Sequence, residues 1–507
     1  MGSSLPYSPK LPMPSKTMNI HSASRILAIF IAITTICNNI VVTEGGVIGI
    51  NWGRSTAQRL IPSVVVDLLL QNHVPAARIY TSEEDLLQAF AGSGIDLTIT
   101  IPDWKKVATY DLAQAWVSKK SPWRVMVGTE IFGMAMNDTQ LQSRMIDAFN
   151  YTQIALNDAG YGYVKATFPH PYIILDDFAK PSEATIRESF RTQFVRHLDI
   201  IRASGAPVCI EFFLVELMRV LNITDLSFAI ADGRSSHAIT DVGDAVYTDV
   251  FEVAYDAFAW ALEKLGYGDV DFIITQVGWP TDGFINANAA TAERFFEALL
   301  PYVASDRGSH KLPGKPIDIY LHALTDENLN PPFLAYGRHW GIYRSNGEPK
   351  YRVDLTGHGR VMFPARARGI KQMPHRWCVL GPTEDEDDMK VEEAYLFACA
   401  TGDCTSMYPK GSCSGLDRWQ NVSYAFNMYF QAFFQDERAC KFNGLGQVVT
   451  EDPSTVGCVF PVEVVKGQQE NFKNVTGKGN RARRLPELAE ILVLLVLTFW
   501  PLLLLYG

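Results

Sequence analysis

Short apolar runs alternate with longer amphipathic stretches from residue 47 to residue 324. The runs are rich in Val, Ile and aromatic residues, which is typical of strands buried in a parallel sheet. Eight strands are predicted, over residues 47–53, 77–82, 95–101, 123–130, 163–170, 207–213, 271–276 and 317–324. Helices are predicted between them, including residues 56–71, 134–158, 185–204, 247–265 and 288–303.

Eight strands that alternate with helices predict an α/β fold, the (β/α)8 TIM barrel. A doubly wound open sheet is the alternative, but no Gly-rich phosphate loop follows the first strand. In a barrel, the residues that carry chemistry lie at the carboxyl ends of the strands. We expect the long segment 214–246, which follows the sixth strand, to shape a substrate groove at that rim.

Polar residues stand where several predicted strands end. The seventh strand stops after Gln276, because Gly278 and Pro280 are unsuited to a buried strand. The other polar residues at strand ends are Asn51, Glu130, Glu211 and Glu327. Paired carboxylates at a barrel mouth suit cleavage of a glycosidic bond, since one protonates the leaving oxygen and the other attacks the anomeric carbon.

A second region follows the barrel. Residues 346–376 are rich in Gly, Pro and basic residues and are predicted to be a linker. Residues 377–461 have too small a core to be stable without cross-links, so three disulfides are predicted there. The cysteines involved are Cys378, Cys399, Cys404, Cys413, Cys440 and Cys458. Sequence leaves the pairing open, although proximity favours Cys399 with Cys404. Cys209 is expected to be a small core residue.

Both ends of the chain resemble targeting signals. Residues 1–45 are predicted to be a signal peptide with a long leader, because a short apolar run follows Arg25; an N-terminal membrane anchor is the alternative. Residues 462–490 hold small residues and a polar spacer, and residues 491–507 form an apolar tail. This order predicts a glycosylphosphatidylinositol anchor at the outer face of the plasma membrane or in the cell wall. An ordinary membrane helix is the alternative.

The net charge of the chain restricts the classes of partner that it can bind. The formal net charge of −10 argues against nucleic acid, which requires a clustered basic surface. No metal or other cofactor is expected, and the protein is expected to be a monomer. Five Asn-x-Ser/Thr acceptors are compatible with glycosylation. They are Asn137, Asn150, Asn222, Asn421 and Asn474.

Several motifs together resemble those of a known family. In chain order they are GINWG, RIY, VGTE, QVGWP, DENLNP and RHWGIY. Residues 46–345 thereby resemble the plant proteins of glycoside hydrolase family 17, which are endo-β-1,3-glucanases with a (β/α)8 barrel and a retaining mechanism. Residues 377–461 are similar to carbohydrate-binding module family 43, with the segment NVSYAFNMYFQ among the matching parts. The resemblance implies β-1,3-glucan, such as callose, as the partner.

The resemblance assigns roles to individual residues. Glu130 stands at the acid/base position, although the family's preceding Asn is Thr129 here. The family's nucleophile lies in Glu-Thr-Gly-Trp-Pro, and Gln276 stands in its place. Asn330 replaces a Lys, and Gly337 replaces a Glu. The residues implied to bind substrate are Asn51, Trp52, Tyr80, Thr129, Glu211, Phe213, Trp279, Glu327, Trp377, Tyr424 and Tyr429.

Gln276 decides the functional expectation. An amide is uncharged and a poor nucleophile, so we expect glucan binding with lost or strongly reduced hydrolysis. The alternative is an active endo-β-1,3-glucanase or transglucosylase that uses a substitute carboxylate, for which Glu211 is the candidate. A third hypothesis is a structural wall protein whose groove binds nothing. In the small module, about half of the aromatic residues are expected to fill the core.

Overall fold

The computed structural model describes residues 45–119, 124–128, 135, 137–330, 335–382 and 388–465. Its strands are β1 (Ile48–Trp52), β2 (Ala76–Ile79), β3 (Asp96–Ile101), β4 (Arg124–Val127), β5 (Lys165–Thr167), β6 (Pro169–Pro171), β7 (Val208–Glu211), β8 (Ile239–Thr240), β9 (Val246–Tyr247), β10 (Phe272–Val277), β11 (Ile319–Leu321), β12 (Trp377–Leu380) and β13 (Gly446–Val449). Its α-helices are α1 (Pro62–Gln71), α2 (Glu84–Phe90), α3 (Tyr110–Val117), α4 (Thr139–Asp158), α5 (Glu188–Ser204), α6 (Leu214–Val220), α7 (Leu226–Ile230), α8 (Val250–Lys264), α9 (Ala289–Val303), α10 (Asp388–Cys399) and α11 (Arg418–Ala432).

The larger sheet is parallel and follows the order β5-β4-β3-β2-β1-β11-β10-β7-β6. Its two end strands, β5 and β6, are separated in the chain by Phe168 alone, so the sheet is a nearly closed barrel. The fifth strand, predicted as one element over 163–170, is divided because Pro169 has no N–H to continue the ladder. The β5 half pairs with β4 and the β6 half pairs with β7. The predicted (β/α)8 barrel is confirmed.

Apolar burial holds the barrel together. All six positions of β10 are buried, as expected for a strand covered on both faces. Asn288 caps the N-terminus of helix α9, and its side chain accepts a hydrogen bond from the Thr291 amide at 2.9 Å. The helix then buries Phe295, Phe296 and Leu299 in the barrel core. Each buried side chain of this size contributes roughly 1.5–3 kcal/mol.

The segment predicted to be a linker, residues 346–376, packs against the barrel. It has no α-helix or β-strand, as its composition indicates. Nevertheless Tyr351, Val353 and Leu355 are buried within the barrel core. The Tyr343 hydroxyl also donates a hydrogen bond to the Ala365 carbonyl at 2.9 Å. The segment therefore adds to the barrel surface as well as connecting it to the module.

The C-terminal module is built on two helices and a two-stranded antiparallel ribbon. The ribbon pairs β12 with β13, and α10 and α11 pack together beside it. Three disulfides join the predicted cysteines: Cys378–Cys440, Cys399–Cys404 and Cys413–Cys458. The prediction of three bridges, and of the pair favoured by proximity, is confirmed. Cys209 is buried in the barrel, and this burial raises the pKa of its thiol to about 11.

The module contacts loops at the barrel rim through polar groups. Arg338 of the barrel forms an ion pair of 3.1 Å with Asp403 of the module, and both side chains are largely buried. The Nε2 atom of His339 lies 2.8 Å from the Thr405 hydroxyl. These contacts attach the module to the loop that carries the RHWGIY motif.

The predicted signal peptide and the predicted anchor signal lie outside the described residues. Within the described ranges, no helix combines the length and the apolar character needed to cross a membrane.

Candidate active site at the barrel mouth

Gln276 lies near the carboxyl end of β10 and is 5% exposed. The strand ends at Val277, and the turn that follows is tightly packed: a Cβ atom on Gly278 would lie 2.1 Å from the His322 carbonyl oxygen. In the sheet register, Gln276 is paired with Glu211 of β7. Side chains of paired residues in neighbouring parallel strands point to the same face. The amide and the carboxylate are therefore neighbours on the barrel interior.

A buried ion pair occupies the floor of this site. The Arg78 guanidinium on β2 is fully buried, and its Nη1 donates to Glu211 Oε1 at 2.8 Å. The same nitrogen donates to the Thr275 carbonyl at 3.2 Å, and Nε donates to the Thr100 hydroxyl at 3.1 Å. Glu211 is only 1% exposed. Removing either partner would leave an uncompensated charge in the interior, which is strongly destabilising.

Other predicted residues surround this pair. The Tyr80 ring lies under the Arg78 guanidinium, 4.7 Å from its centroid, and its hydroxyl donates to Gln276 Oε1 at 3.5 Å. The Asn51 amide donates to the Thr275 carbonyl at 2.9 Å. Burial, together with the charge of Arg78, lowers the pKa of His322 to about 3, so its imidazole is neutral at ordinary pH. Among these described residues the mouth therefore presents amide and hydroxyl groups, and Arg78 and Glu211 neutralise each other.

Glu327 has a local structural role. Its Oε1 accepts a hydrogen bond from the Ser55 amide at 3.0 Å, just after β1. A Cβ atom on Gly53 would lie 1.9 Å from that oxygen, so glycine is required for the contact. Burial raises the pKa of the Glu327 carboxyl. Its contacts tie the DENLNP loop to the first strand.

The remaining rim residues are placed as follows. Phe213 is partly exposed after β7, and its ring centroid lies 6.4 Å from that of Trp340 in an edge-on arrangement. Arg338 Nε donates to the Asn330 carbonyl at 2.7 Å. Thr129 and Glu130 lie outside the described residues, so their predicted roles stay predictions. Among the residues with described positions, no group of three or more His, Cys, Asp or Glu side chains could hold a metal ion.

Four aromatic residues predicted to bind substrate are buried in the structure, and their role in binding stays a prediction. They are Trp52, Trp279, Trp377 and Tyr424. The Trp279 indole donates to the Asn286 carbonyl at 3.1 Å, and the Trp377 indole donates to the Phe460 carbonyl at 2.9 Å. Their large apolar faces fill the barrel and module cores, and the two indole N–H groups fix nearby backbone.

The module instead exposes a different set of aromatic rings. Phe397 on α10 is 58% exposed and Phe433, just after α11, is 44% exposed. The partly buried Tyr429 lies between them, with ring centroids 5.2 Å from Phe397 and 4.5 Å from Phe433. We call these three residues the aromatic face. Only Tyr429 was predicted; the four-residue spacing of Tyr429 and Phe433 is the signal that could have identified the second ring.

The fold and the site define a class first: a (β/α)8 barrel whose polar side chains gather at the carboxyl ends of its strands, where barrel enzymes bind substrate. The family model for glycosyl hydrolases family 17 matches residues 48–355, and that for the X8 domain matches residues 376–447. The chain belongs to glycosyl hydrolase family 17 and carries a C-terminal X8 domain, the module type of carbohydrate-binding family 43.

Similar proteins extend over both regions. Glucan endo-1,3-beta-glucosidase 8 of Arabidopsis thaliana is 34% identical over 468 residues, which cover 89% of this chain and 95% of the relative. Glucan endo-1,3-beta-glucosidase 5 of the same plant is 32% identical and covers 87% and 92%. The solved structure of CJP38, a beta-1,3-glucanase and allergen of Cryptomeria japonica pollen, is 26% identical with a TM-score of 0.58. It covers 61% of this chain and 99% of that protein.

Proposed function

We propose that this member of family 17 binds β-1,3-glucan at the cell surface and has lost most or all of its hydrolytic activity. The observation that carries the proposal is the position of Gln276. The amide stands at the strand end where the family motif has its nucleophile, and its register neighbour Glu211 is paired with Arg78.

The chemistry of an amide supports this proposal. Retaining hydrolysis requires a carboxylate oxygen to form a bond to the anomeric carbon while the leaving oxygen receives a proton; water then releases the sugar. A neutral amide neither forms that ester nor stabilises the positive charge that develops on the sugar ring. Losing such a nucleophile costs on the order of 10⁴–10⁶ in rate, roughly 5–8 kcal/mol of barrier.

Glu211 is poorly suited to replace the missing carboxylate. One of its oxygens accepts a hydrogen bond from Arg78, and the side chain is 1% exposed. A general base for an inverting reaction must hold a water beside the sugar, with the two carboxyl groups roughly 6.5–9.5 Å apart. Turnover that disappears in Glu211→Gln would instead support the active glucanase or transglucosylase.

Two surfaces remain for glucan. At the barrel mouth, Gln276 and Tyr80 offer an amide and a hydroxyl to sugar hydroxyl groups, and Gln has nearly the shape of the Glu that it replaces. On the module, the aromatic face offers ring faces for the apolar faces of pyranose rings. Callose is the natural polysaccharide of this linkage, and the names of the relatives support the linkage.

The terminal segments support a location. The apolar run at 26–36 and the tail at 491–507 direct the protein to secretion and to a lipid anchor at the outer face of the plasma membrane. Three disulfides in the module are consistent with an oxidising compartment. The protein acts there as a monomer on wall glucan.

The proposal is tested by binding and product analysis on one preparation. Calorimetry with a laminari-oligosaccharide should give saturable binding, and chromatography after prolonged incubation should recover the oligosaccharide intact. Tyr80→Phe, which removes the hydroxyl offered at the mouth, serves as a barrel-mouth variant, and Phe397→Ala serves as a module variant. An oligosaccharide that is cleaved rapidly would refute the loss of activity. If a folded preparation bound no oligosaccharide, the result would support the third hypothesis, a structural wall protein whose groove binds nothing.

A further inference from the structure

A buried cation requires a compensating negative charge. Arg78 is fully buried on β2, and among the residues that the structure describes Glu211 is the only carboxylate paired with it. The second oxygen of Glu211 and the second terminal nitrogen of Arg78 have no hydrogen-bond partner among the same residues. The pair is therefore joined by a single contact, and each partner retains capacity for another.

Position 276 lies beside this pair. Gln276 is the register neighbour of Glu211, and Arg78 donates to the carbonyl of Thr275, the residue before it. The Tyr80 ring, which lies under the Arg78 guanidinium, carries the hydroxyl that bonds the Gln276 side chain. Arg78 therefore lies close to both strand ends, and its positive charge would act on a carboxylate at position 211 or at position 276.

We propose that Glu211 is a positioning residue whose carboxylate supplies the negative charge that Arg78 requires and that a carboxylate at position 276 could supply instead, so that acid and amide can be transposed between the two neighbouring strands. The site accommodates one carboxylate, at 211 or at 276, but not two. The description of position 276 as the nucleophile position rests on the proposed function; the coupling of the two positions does not.

This transposition has a direct consequence for restoring activity. Gln276→Glu alone adds a second anion beside the first, where Arg78 can compensate only one charge and like charges oppose ionisation. The variant Glu211→Gln with Gln276→Glu keeps the number of charges constant and moves the carboxylate across one strand. The transposed variant, rather than the single reversion, is the appropriate test of a restored nucleophile.

The first experiment is thermal unfolding of the full chain, expressed in a secretory host, as a double-mutant cycle. We expect Glu211→Gln and Gln276→Glu each to lower the Tm of the barrel by about 5 °C or more, because one leaves Arg78 unpaired and the other crowds two anions. The transposed variant should regain at least half of the loss seen in Glu211→Gln. This regain is the signature of coupled positions.

A matched control replaces a carboxylate that has no contact with the site. Glu188 is exposed on α5 and lies 3.8 Å from Arg191. Glu188→Gln combined with Gln276→Glu should show additive changes in Tm. The proposal is overturned if the transposed variant loses the sum of the two single losses, or if Gln276→Glu is as stable as the wild type.

The second experiment measures release of reducing ends from laminarin. We expect kcat of the transposed variant to exceed that of Gln276→Glu by about tenfold or more with a similar KM, since only the former presents a fully ionised carboxylate. Equal or higher kcat in Gln276→Glu would contradict the proposal. If no variant hydrolyses, the unfolding cycle decides. A wild type that hydrolyses rapidly refutes the proposed function and leaves the cycle unaffected.

Discussion

The barrel mouth buries its charged and amide side chains, whereas the aromatic face of the module exposes its rings. At the mouth, Arg78 and Glu211 neutralise each other inside the protein, and Gln276 beside them is almost fully buried. On the module, Phe397 and Phe433 are exposed at the surface, beside a small hydrophobic core. The described residues of the barrel mouth thus hold paired charges and a buried amide, whereas the module displays apolar rings at its surface.

The largest effect is expected from breaking the ion pair at the mouth. Arg78→Met should destabilise the barrel by roughly 3–5 kcal/mol, because Glu211 would remain buried without its cation. Chemical denaturation followed by tryptophan fluorescence measures the loss. Arg191→Met, which removes an exposed partner of Glu188, is the control and should change stability by less than about 1 kcal/mol. Equal effects of the two substitutions would contradict the description of the mouth.

The disulfide framework gives the next effect. Replacing Cys378 and Cys440 by Ala opens a bridge with a sequence separation of 62 and should destabilise the module by about 4 kcal/mol. Replacing Cys399 and Cys404, which are separated by 5, should cost only about 2 kcal/mol. Limited proteolysis of the module measures both losses. If the short bridge proves as important as the long one, loop entropy is not the cause.

The contact between barrel and module should depend on pH. Glu463 accepts a hydrogen bond from the Ser345 hydroxyl at 3.0 Å, and burial raises the pKa of its carboxyl to about 7. Because this pKa is above the unfolded value, its contribution to stability is complete below about pH 4.5 and is lost as the pH rises through about 7.

Glu463→Gln should remove the contribution of this carboxyl to the pH dependence of stability. The variant should be more stable than the wild type at about pH 8, by up to about 3 kcal/mol, and should show a smaller decline in stability from about pH 5 to about pH 8. Glu451→Gln, at an exposed position of the module, should leave the decline unchanged. Unfolding curves across this range check the expectation, and identical slopes in the wild type and Glu463→Gln would contradict it.

The smallest effect is expected on the aromatic face. Phe433→Ala removes an exposed ring and should weaken binding of laminari-oligosaccharides by about 1 kcal/mol, roughly fivefold in Kd, with little loss of stability. Val456→Ala is the control, since this side chain is fully exposed on the module and lies outside the face. Unchanged affinity in Phe433→Ala would remove the face from the binding site.

Much of the fold follows from local pattern. Apolar runs ending at glycine and proline located the strands, because buried parallel strands are continuously apolar. The division of the fifth strand at Phe168 was not predicted, since it depends on which neighbour each half pairs with. The packing of residues 346–376 on the barrel was also missed, because three scattered apolar residues in an irregular segment have no period to detect.

The sequence predicted where the candidate site lies, but it predicted the roles of individual side chains less well. The strand ends at Asn51, Glu211 and Gln276 converge as parallel strands in a barrel require. The ion pair with Arg78 was missed, because a basic residue within an apolar run does not reveal its partner. A Trp in the sequence looks the same whether it fills a core or binds a sugar. The burial of Trp279 and Trp377 therefore became known only from the structure.

Our central inference is that an amide at position 276 leaves a glucan-binding barrel with little or no turnover. It is tested most directly by the initial rate at which the wild type releases reducing ends from laminarin, measured beside an active endo-β-1,3-glucanase at equal protein concentration. We predict a rate lower by on the order of 10⁴ or more. A rate within about tenfold of the active enzyme, abolished by boiling the preparation, would contradict the account.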